Sequence, residues 1–321
     1  MQQSPKTIKL TDFEKDVCEG LRDFPKHLSS KYFYDETGDE LFQKIMGMPT
    51  YYLTQAEYKI LNHHKVEIAE MFSSKGPFEL IELGAGDGKK TKVLLEELCE
   101  QQSDFTYIPI DISENSLEQL TNSVTYELPQ VNIDGFQGTY FEALKKLGNR
   151  NQKRKIILFL GSNIGNLKHN QAIDFLSEIR QLMQPNDILF LGADQKKNPQ
   201  TILDAYNDKE GITAQFNKNI LHRINKELDA NFDLDKFLHW ENYDPENGTA
   251  KSYLVSKEDQ IVYLEKLNLT IHLKAWETIH TEISQKYDDD MVHWLGKEAR
   301  LTIHRIFSDG KEAFKDYVFT F

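Results

Sequence analysis

The hydrophobic residues in the middle of the chain follow two alternating patterns. Within residues 89–100, 113–126 and 173–182, apolar side chains recur every three or four positions, which predicts helices with one buried face. Short, largely apolar runs separate these segments and predict strands covered on both sides. The runs lie at residues 78–83, 105–110, 155–160 and 188–191, with a weaker one at 131–136. This alternation predicts an α/β fold with a doubly wound, mostly parallel, Rossmann-like sheet.

The pattern changes after residue 195. Residues 198–228 are predicted to be one helix, and residues 232–284 several antiparallel strands with a turn at 245–248. A helix near 290–299 and a terminal hairpin around Asp309-Gly310 then return to the earlier style. We therefore predict two discontinuous domains. Residues 61–195 and 287–321 form the doubly wound domain, and residues 1–60 and 196–286 form a second, α+β domain.

Composition and charge narrow the class of protein. The 321 residues include 38 Lys and Arg against 51 Asp and Glu, a net charge of −13, which disfavours a polyanionic partner. Hydrophobic residues at 39% exclude a disordered chain, and every apolar run is far shorter than the roughly 20 residues that span a bilayer. The polar N-terminus and two isolated cysteines, Cys18 and Cys99, indicate a cytoplasmic protein. We expect a monomeric enzyme for a small molecule, without nucleic-acid or membrane partners.

A glycine-rich loop follows the first predicted strand. The segment Glu82-Leu-Gly-Ala-Gly-Asp-Gly88 has G-x-G-x-G spacing, which differs from the G-x-G-x-x-G of dinucleotide sites. Asp111 ends the next strand, where a carboxylate can accept hydrogen bonds from both ribose hydroxyls. The glycines do not have the G-x-x-x-x-G-K-[ST] spacing of a phosphate-binding loop. The order of strand, loop, helix, strand and acid predicts a nucleoside ligand, S-adenosylmethionine in preference to NAD.

Longer blocks of sequence resemble one family, the histidine-specific methyltransferases that make hercynine for ergothioneine. They follow that family's order over most of the chain. The blocks are Phe33-Tyr-Asp-Glu-Thr-Gly38 with Leu41-Phe42, Pro49-Thr-Tyr-Tyr-Leu-Thr54 with Glu57, Leu160-Gly-Ser-Asn-Ile-Gly-Asn-Leu167, Leu191-Gly-Ala-Asp194, Ala205-Tyr-Asn-Asp208, Gly211-Ile-Thr-Ala214, Phe216-Asn-Lys-Asn219, Phe232-Asp-Leu-Asp235 and Thr281-Glu-Ile-Ser-Gln-Lys-Tyr287. The resemblance implies a class I methyltransferase sheet that carries a discontinuous substrate domain.

The resemblance also implies roles for individual residues. For the substrate, Asn166 and Tyr206 would hold the α-carboxylate, the main chain of Gly161 would border the α-amine, and Tyr34, Glu282 and Ser284 would recognise the imidazole. For the cofactor, the matching positions are Tyr51, Gly84, Lys90 and Asp111, with Thr139 and Tyr140 on the adenine side. It implies neither a dedicated catalytic base nor a metal, and His280 with Glu282 has no apparent third ligand.

The implied activity is transfer of methyl groups from S-adenosylmethionine to the α-amine of L-histidine, up to trimethylation. Three positions depart from the family pattern: Thr139 replaces a common Asp, Asn163 a common Thr, and Ser252 a bulky Met. Two alternatives therefore stay open. One is the same chemistry on another amino acid, such as an aromatic one, and the other is a non-catalytic protein that binds S-adenosylmethionine or an amino acid.

Overall fold

The computed structural model describes residues 10–148 and 153–321, so the polar N-terminal residues 1–9 lie outside the described part. The α-helices are α1 (Asp12–Arg22), α2 (Glu36–Met46), α3 (Tyr52–Ser73), α4 (Lys89–Glu100), α5 (Glu114–Glu127), α6 (Tyr140–Gly148), α7 (His169–Leu182), α8 (Pro199–Tyr206), α9 (Ile212–Leu228) and α10 (Asp289–Glu298). The strands are β1 (Lys26–His27), β2 (Phe78–Leu83), β3 (Phe105–Asp111), β4 (Asn132–Ile133), β5 (Phe136–Gln137), β6 (Arg154–Phe159), β7 (Ile188–Asp194), β8 (Phe237–Asp244), β9 (Thr249–Ser256), β10 (Gln260–Leu264), β11 (Leu269–Leu273), β12 (Thr278–Gln285), β13 (Thr302–Ser308) and β14 (Phe314–Thr320). Among the described helices, none is both long and apolar enough to cross a membrane.

The chain divides into two compact units. The first comprises the described part of Met1–Ile45 together with Tyr206–Asn242 and Lys251–Glu282. The second comprises Met46–Ala205, Tyr243–Ala250 and Ile283–Phe321, less its undescribed residues 149–152. Each unit is thus built from segments that are distant in sequence.

The second unit is built around an eight-stranded sheet. Its strand order is β13-β14-β7-β6-β2-β3-β4, with β5 also paired to β3. The strands from β7 to β4 are parallel, and the C-terminal hairpin of β13 and β14 adds two antiparallel strands at one edge. This confirms the predicted doubly wound α/β class. The chain leaves β2 toward β3 on one side and later returns to β6 on the other, so the topological switch point lies between β2 and β6.

Apolar side chains cover both faces of this sheet. Ile81 of β2 pairs with Ile108 of β3 and Ile157 of β6, and all three are buried in one cluster with residues of α7 and α10. On another side Phe72 of α3 meets Phe190 of β7 edge to face, with ring centroids 5.8 Å apart. Because both faces are covered, the parallel strands have the nearly continuous apolar sequence from which they were predicted.

The first unit holds most of a four-stranded sheet in the order β1-β12-β9-β8, and a separate antiparallel hairpin of β10 and β11. Helix α9 packs against the four-stranded sheet, where the Thr281 hydroxyl donates to Oδ1 of Asn217 at 2.7 Å. Phe33 and Phe216 meet edge to face beneath the N-terminal segment. This unit therefore has an α+β arrangement of its own.

Two predicted elements were wrong in detail. The single helix predicted over 198–228 is interrupted between α8 and α9, because Gly211 adopts a φ of 75° and both oxygens of Asp208 accept N–H groups at the start of α9. The weak strand predicted over 131–136 is two short strands, β4 and β5, on either side of Asp134-Gly135. In both places a local polar turn interrupts an apolar periodicity.

Candidate active site

A loop with three glycines follows β2 and leads into α4. Gly84, Gly86 and Gly88 have φ angles of 75°, 54° and 63°, a region that strains residues with a Cβ. The main-chain N–H of Gly84 donates to the carbonyl of Ile110 at 2.8 Å, so the loop crosses the carboxyl end of β3. A Cβ at Gly86 would meet no described atom within 4 Å, which leaves that backbone open to a ligand.

Asp111, the last residue of β3, is bonded directly to this loop. Its Oδ2 accepts the N–H of Gly86 at 2.9 Å, and its Oδ1 accepts the N–H of Ser113 at 3.0 Å. Each carboxylate oxygen has two lone pairs, so these bonds are compatible with hydrogen bonds from ribose hydroxyls. The glycine loop and the acid that were separated in sequence therefore meet in space.

Tyr140, the first residue of α6, lies over Gly84. Its hydroxyl oxygen and Nδ2 of Asn163 would be 2.6 and 2.9 Å from a Cβ placed on Gly84. Burial raises the pKa of Tyr140, and the charge of Asp111 raises it further, so the phenol keeps its proton at neutral pH. Two uncharged polar groups therefore flank the start of the loop.

Thr139 has a structural partner. Its N–H and its hydroxyl donate to Oε2 of Glu142 at 2.9 and 2.8 Å, and the N–H of Glu142 donates back to the Thr139 hydroxyl at 3.3 Å. This reciprocal arrangement is a capping box for α6. The residue that departs from the family pattern is thus also one that begins a helix.

A buried carboxylate joins Lys90 to Gly161. Glu57 of α3 has no exposed surface, and its two oxygens accept the N–H of Gly161 at 2.8 and 2.9 Å. The same carboxylate pairs with the ammonium of Lys90 on α4. Gly161 has a φ of 73°, so the turn after β6 takes a left-handed conformation that favours glycine. Glu57 therefore holds in place the turn after β6, which lies at the topological switch point of the sheet.

The charges around Glu57 are matched. Burial lowers the pKa of Lys90, but the carboxylate of Glu57 outweighs burial and leaves that pKa above its usual value. Asp316 of β14 is fully buried beside this pair, and burial together with the Glu57 charge raises its pKa well above the ordinary value. Burial and the neighbouring carboxylate therefore both favour the protonated form of Asp316.

A second buried cluster surrounds Asp194, the last residue of β7. Its side chain pairs with Lys286 at 2.9 Å and with Lys197, and accepts the hydroxyl of Tyr52 at 2.7 Å. Lys286 also donates to the hydroxyl oxygen of Ser284 at 2.7 Å. Ser284, which the resemblance assigns to the substrate, is therefore held by a lysine that the sequence gave no reason to select.

Two other predicted residues of the second unit lie at element ends. Tyr51 immediately precedes α3, and its side chain is buried. Asn166 is exposed at the end of a short 3-10 turn that spans Asn163–Asn166, just after β6. Both positions follow a loop, as expected of residues that meet a ligand.

Tyr34 and Tyr206 belong to the first unit. The ring of Tyr34 meets those of Phe42 and Phe216 edge to face, each with centroids 5.6 Å apart. Tyr206 ends α8 and is buried. Aromatic packing of this kind fixes a ring while its hydroxyl reaches a polar partner.

Glu282 of the first unit lies beside Ser252. The hydroxyl of Ser252 is 2.6 Å from Oε2 of Glu241 and 3.4 Å from Oε2 of Glu282. Ser252 is buried on β9, the neighbour of β12, and Glu241 is buried on β8, the next strand of the same sheet. The Ser252 hydroxyl therefore lies in polar contact with two acids.

The structure brings the six cofactor positions together in one unit and divides the substrate positions. The second unit contains Tyr51, Gly84, Lys90, Asp111, Thr139 and Tyr140, together with Gly161, Asn166 and Ser284, and the first contains Tyr34, Tyr206 and Glu282. Within the described ranges, no three His, Cys, Asp or Glu side chains are grouped to hold a metal ion.

Comparison with known proteins identifies the chain. The profile described as "Histidine-specific methyltransferase, SAM-dependent" matches residues 13–321. The chain belongs to this family. It is 36% identical to the histidine N-alpha-methyltransferase of Mycobacterium tuberculosis, over 91% of this chain and 89% of that protein. It is 35% identical to the enzyme of the same name from Mycolicibacterium smegmatis, over 87% of this chain and 85% of that protein. It is also 32% identical to ergothioneine biosynthesis protein 1 of Neurospora crassa, over 87% of this chain but only 32% of that longer protein.

The loop of this SAM-dependent methyltransferase fits its cofactor. Open backbone at Gly86 and the carboxylate of Asp111 suit an adenosine. The loop lacks the G-x-x-x-x-G-K-[ST] spacing of a triphosphate site, and the Lys90-Thr91 pair that follows it is bonded to Glu57 and Glu82. Lys90 supplies a cation within the same unit. The predicted cofactor is therefore confirmed at the level of the family, and its contacts stay predictions.

Sequence reasoning missed several buried groups of this family member. Asp316 was not selected, and Glu57 and Lys286 were noted only within matching blocks. The structural sign of all three is full burial of an ionisable side chain within a cluster of other charged groups. In the sequence, the only available sign was a charged residue inside an otherwise buried strand, as in Phe314–Thr320.

Proposed function

We propose that the protein transfers methyl groups from S-adenosylmethionine to the α-amine of L-histidine, up to three times, to give hercynine. The match of the histidine-specific family over residues 13–321 carries this proposal. The direct bond between the glycine loop and Asp111 supports it independently, because that pair is suited to a nucleoside. We further propose that the enzyme is a cytoplasmic monomer that acts on the free amino acid, without nucleic acid.

The second unit holds the proposed cofactor contacts. Asp111 would accept the ribose hydroxyls, Lys90 would face the charged end of the cofactor, and Tyr140 would border the adenine. Tyr51, Gly84 and Thr139 complete this set. As domains we propose residues 61–195 and 287–321 for methyl transfer and residues 1–60 and 196–286 for the substrate. The second compact unit is larger than the first of these and also includes Tyr51.

The proposed substrate contacts select an amino acid with an imidazole. Asn166 and Tyr206 are neutral donors for the α-carboxylate, and the main chain of Gly161 would border the α-amine. Tyr34, Glu282 and Ser284 would surround the ring. Because the amine ends as a trimethylated cation, neutral donors accommodate the growing head group without pairing tightly to it.

In this reaction the main contribution of the chain is to position the amine relative to the methyl donor. When bound, S-adenosylmethionine supplies an electrophilic methyl group on a sulfonium. The residues of the chain then hold a neutral amine in line with it, with the reacting atoms about 3–3.5 Å apart. The left-handed turn at Gly161, fixed by Glu57, would set the path of the main chain along the amine. We assign no residue as the proton acceptor.

The surroundings of Ser252 favour histidine over an aromatic amino acid. Ser252 replaces a bulky Met of the family, but it does not open an apolar space, because its hydroxyl contacts Glu241 at 2.6 Å. Two carboxylates beside the hydroxyl disfavour a phenyl ring, which has no donor, and suit the small imidazole ring with its N–H; an indole also has one N–H but brings a larger apolar surface against these acids.

Mass spectrometry of the products tests the function. Purified protein is incubated with methyl-labelled S-adenosylmethionine and each of the twenty amino acids. We expect histidine to give species with one, two and three labelled methyl groups. A preference for tryptophan or tyrosine would replace histidine as the substrate, and no methylated product after long incubation would indicate a binding protein instead.

A further inference from the structure

Two consecutive residues after β6 adopt a left-handed conformation. Gly161 has a φ of 73° and Ser162 a φ of 58°, and a residue with a Cβ adopts this region only at an energetic cost. Buried contacts hold both residues: Glu57 accepts the N–H of Gly161, and the Ser162 hydroxyl accepts the N–H of Asp194 at 3.0 Å. The position of the next residue, Asn163, is therefore fixed by a well-anchored turn.

This turn places the side-chain amide of Asn163 at the topological switch point of the sheet. Its Nδ2 is 2.9 Å from a Cβ placed on Gly84, which follows β2, and its Nδ2 and Oδ1 are both 3.9 Å from a Cβ placed on Gly161, which follows β6. Strands β2 and β6 are neighbours, and ligands of doubly wound sheets bind beyond the carboxyl ends of such strands. The amide therefore lies between the loop assigned to the cofactor and the turn assigned to the α-amine.

The amide of Asn163 has hydrogen-bonding capacity that the protein does not use. No described residue makes a hydrogen bond to its half-buried side chain, although its main-chain N–H donates to the carbonyl of Leu160 at 3.4 Å. An amide has one accepting oxygen and two N–H donors. Since Oδ1 and Nδ2 are equally far from the Cβ position at Gly161, the acceptor is near Gly161 whichever way the amide is turned.

The open side of Gly161 is bordered by polar atoms. Apart from its chain neighbours, the described atom nearest to a Cβ placed there is Nζ of Lys90, at 3.4 Å, followed by the amide of Asn163. No apolar side chain is among these nearest atoms. A ligand nitrogen beside Gly161 is therefore within reach of the only amide oxygen among them.

We propose that Asn163 contacts the substrate and orients its α-amine: the amide oxygen accepts an N–H of the amine and leaves the nitrogen lone pair directed toward the methyl donor. The proposal rests on the proposed function, in which Gly161 borders the α-amine. It adds a side-chain contact to that amine within the second unit. Alignment of the lone pair with the methyl group is the kind of positioning that accelerates such a displacement.

The contact distinguishes the three methyl transfers. In each, the nitrogen lone pair forms the bond to the methyl carbon, and the carbon–sulfur bond breaks with its electron pair left on sulfur. After the first and second transfers, the new ammonium releases a proton to water and becomes a neutral amine again. The attacking amine has two N–H groups in the first transfer, one in the second and none in the third. Asn163 therefore assists the first two transfers and has no N–H to accept in the third.

Three substrates test this inference: histidine, Nα-monomethylhistidine and Nα,Nα-dimethylhistidine, each supplied with methyl-labelled S-adenosylmethionine. Asn163→Leu keeps the approximate size of the side chain and removes the acceptor. We expect it to lower kcat/KM about fivefold for histidine and monomethylhistidine and to change kcat/KM for dimethylhistidine by less than about twofold. Mass spectrometry of the products gives the initial rates. Each substrate is compared with the wild type at one pH, so that the titration of its amine cancels.

Two further variants separate the hydrogen bond from the size of the side chain. Asn163→Ala also lacks the acceptor but is smaller, and it should lose activity with the same two substrates. An effect of size alone would make Asn163→Ala and Asn163→Leu differ, chiefly with the bulkier dimethylhistidine, and would overturn the inference. Asn163→Thr returns an accepting hydroxyl and should recover kcat/KM for histidine to within about twofold of the wild type.

Asn166→Ala is the matched control, because Asn166 belongs to the same short turn and is assigned to the α-carboxylate. Since that carboxylate is the same in all three substrates, this variant should lower kcat/KM by similar factors for each. Equal losses of this kind in Asn163→Leu would show a structural role only, and unchanged rates would remove Asn163 from the site. Either result overturns the inference.

The proposed function fails in a different way. If the wild-type protein does not methylate histidine at all, the proposed function is overturned, and this inference with it. If histidine is methylated but Asn163→Leu does not discriminate among the three substrates, only the inference is overturned. Should thermal denaturation show that Asn163→Leu is not folded, Asn163→Ala and Asn163→Thr provide the same comparison.

Discussion

Both carboxylate oxygens of Glu57 accept the main-chain N–H of Gly161, at 2.8 and 2.9 Å, across 104 residues of sequence. The same carboxylate pairs with Lys90, and together with burial it raises the pKa of Asp316 beside it well above the ordinary value. One buried acid thus fixes the switch-point turn and the ammonium of α4 together. We therefore expect removal of the Glu57 carboxylate to lower the free energy of unfolding.

We expect Glu57→Gln to lower the free energy of unfolding by about 3 kcal/mol, because Lys90 is left buried without its counter-ion. Urea unfolding at neutral pH measures the loss. The double variant Glu57→Gln with Lys90→Met should lose less than Glu57→Gln alone, since no unpaired charge remains.

Glu96→Gln, on the exposed side of α4, is the control and should change stability by less than about 0.5 kcal/mol. A Glu57→Gln variant as stable as this control would show that the buried pair contributes nothing.

Asp111 provides the clearest prediction for cofactor binding. We expect Asp111→Ala to weaken binding of S-adenosylhomocysteine by at least about tenfold, since ribose hydrogen bonds to a charged acceptor contribute about 1.5–3 kcal/mol. Isothermal titration calorimetry measures the affinity. Because Gly86 and Ser113 also donate to Asp111, the variant should be somewhat less stable but folded.

Asp104→Asn, at the exposed amino end of the same strand, should bind S-adenosylhomocysteine like the wild type. Unchanged affinity in Asp111→Ala would remove Asp111 from the ribose site.

Asp111 and Glu57 differ in how far their roles could be predicted from the sequence. Asp111 could be predicted because strand, loop, helix and strand follow one another locally, and parallel strands place their carboxyl ends at one edge. Glu57 reaches Gly161 through tertiary packing of α3 against the sheet, and no spacing along the chain encodes that distance. The same holds for Lys286, whose role depends on where Asp194 lies.

The break between α8 and α9 follows the same rule on a smaller scale. The apolar pattern of the sequence continues through the segment, so it predicted one helix. The helix itself is broken by the side-chain bonds of Asp208 and by the left-handed conformation of Gly211. Substrate residues such as Tyr34 and Glu282 were reached through family resemblance, because neither has a local pattern of its own.

Recognition of the imidazole makes a kinetic prediction. We expect Glu282→Ala to raise KM for histidine at least about tenfold while kcat changes by less than about threefold, because a charge-assisted bond to the ring is lost before the reacting amine is affected. Steady-state kinetics over a range of histidine concentrations separate the two constants.

Glu258→Ala is a suitable control, since Glu258 is exposed and pairs only at the surface with Lys236 in the described contacts. A dominant loss of kcat in Glu282→Ala with unchanged KM would contradict a recognition role.

Glu82, just before the glycine loop, predicts a pH dependence of stability. It is buried and accepts the hydroxyls of Thr91 and Tyr107, both at 2.5 Å, and burial raises its pKa from 4.5 to about 7. The folded protein therefore holds a proton that the unfolded chain releases above pH 4.5. Its contribution to stability is present below that pH and is lost as pH rises through about 7.

We expect Glu82→Gln, which cannot ionise, to gain stability relative to the wild type by about 3 kcal/mol between about pH 5 and about pH 8. Urea unfolding at several pH values measures this difference, with Glu96→Gln as the exposed control. Parallel pH profiles of Glu82→Gln and the wild type would contradict the raised pKa.

His239 of β8 predicts the opposite dependence of stability on pH, a loss as the pH falls. It is 7% exposed, and neither ring nitrogen has a hydrogen-bond partner within the described part of the chain. Burial lowers its pKa from 6.5 to about 4, while Asp208 raises it and Lys218 lowers it. Because the unfolded chain binds a proton that the folded protein excludes, stability is present above the unfolded pKa of 6.5 and is lost as pH falls toward about 4.

His239→Leu removes both buried nitrogens at nearly constant volume. We expect its stability advantage over the wild type to grow by about 2 kcal/mol as pH falls from about 7.5 to about 4.5. His222→Leu, an exposed position on α9, should leave the profile unchanged. If His239→Leu and the wild type lose stability equally on acidification, the imidazole takes up its proton in the folded state, and a polar group must lie within reach of its ring.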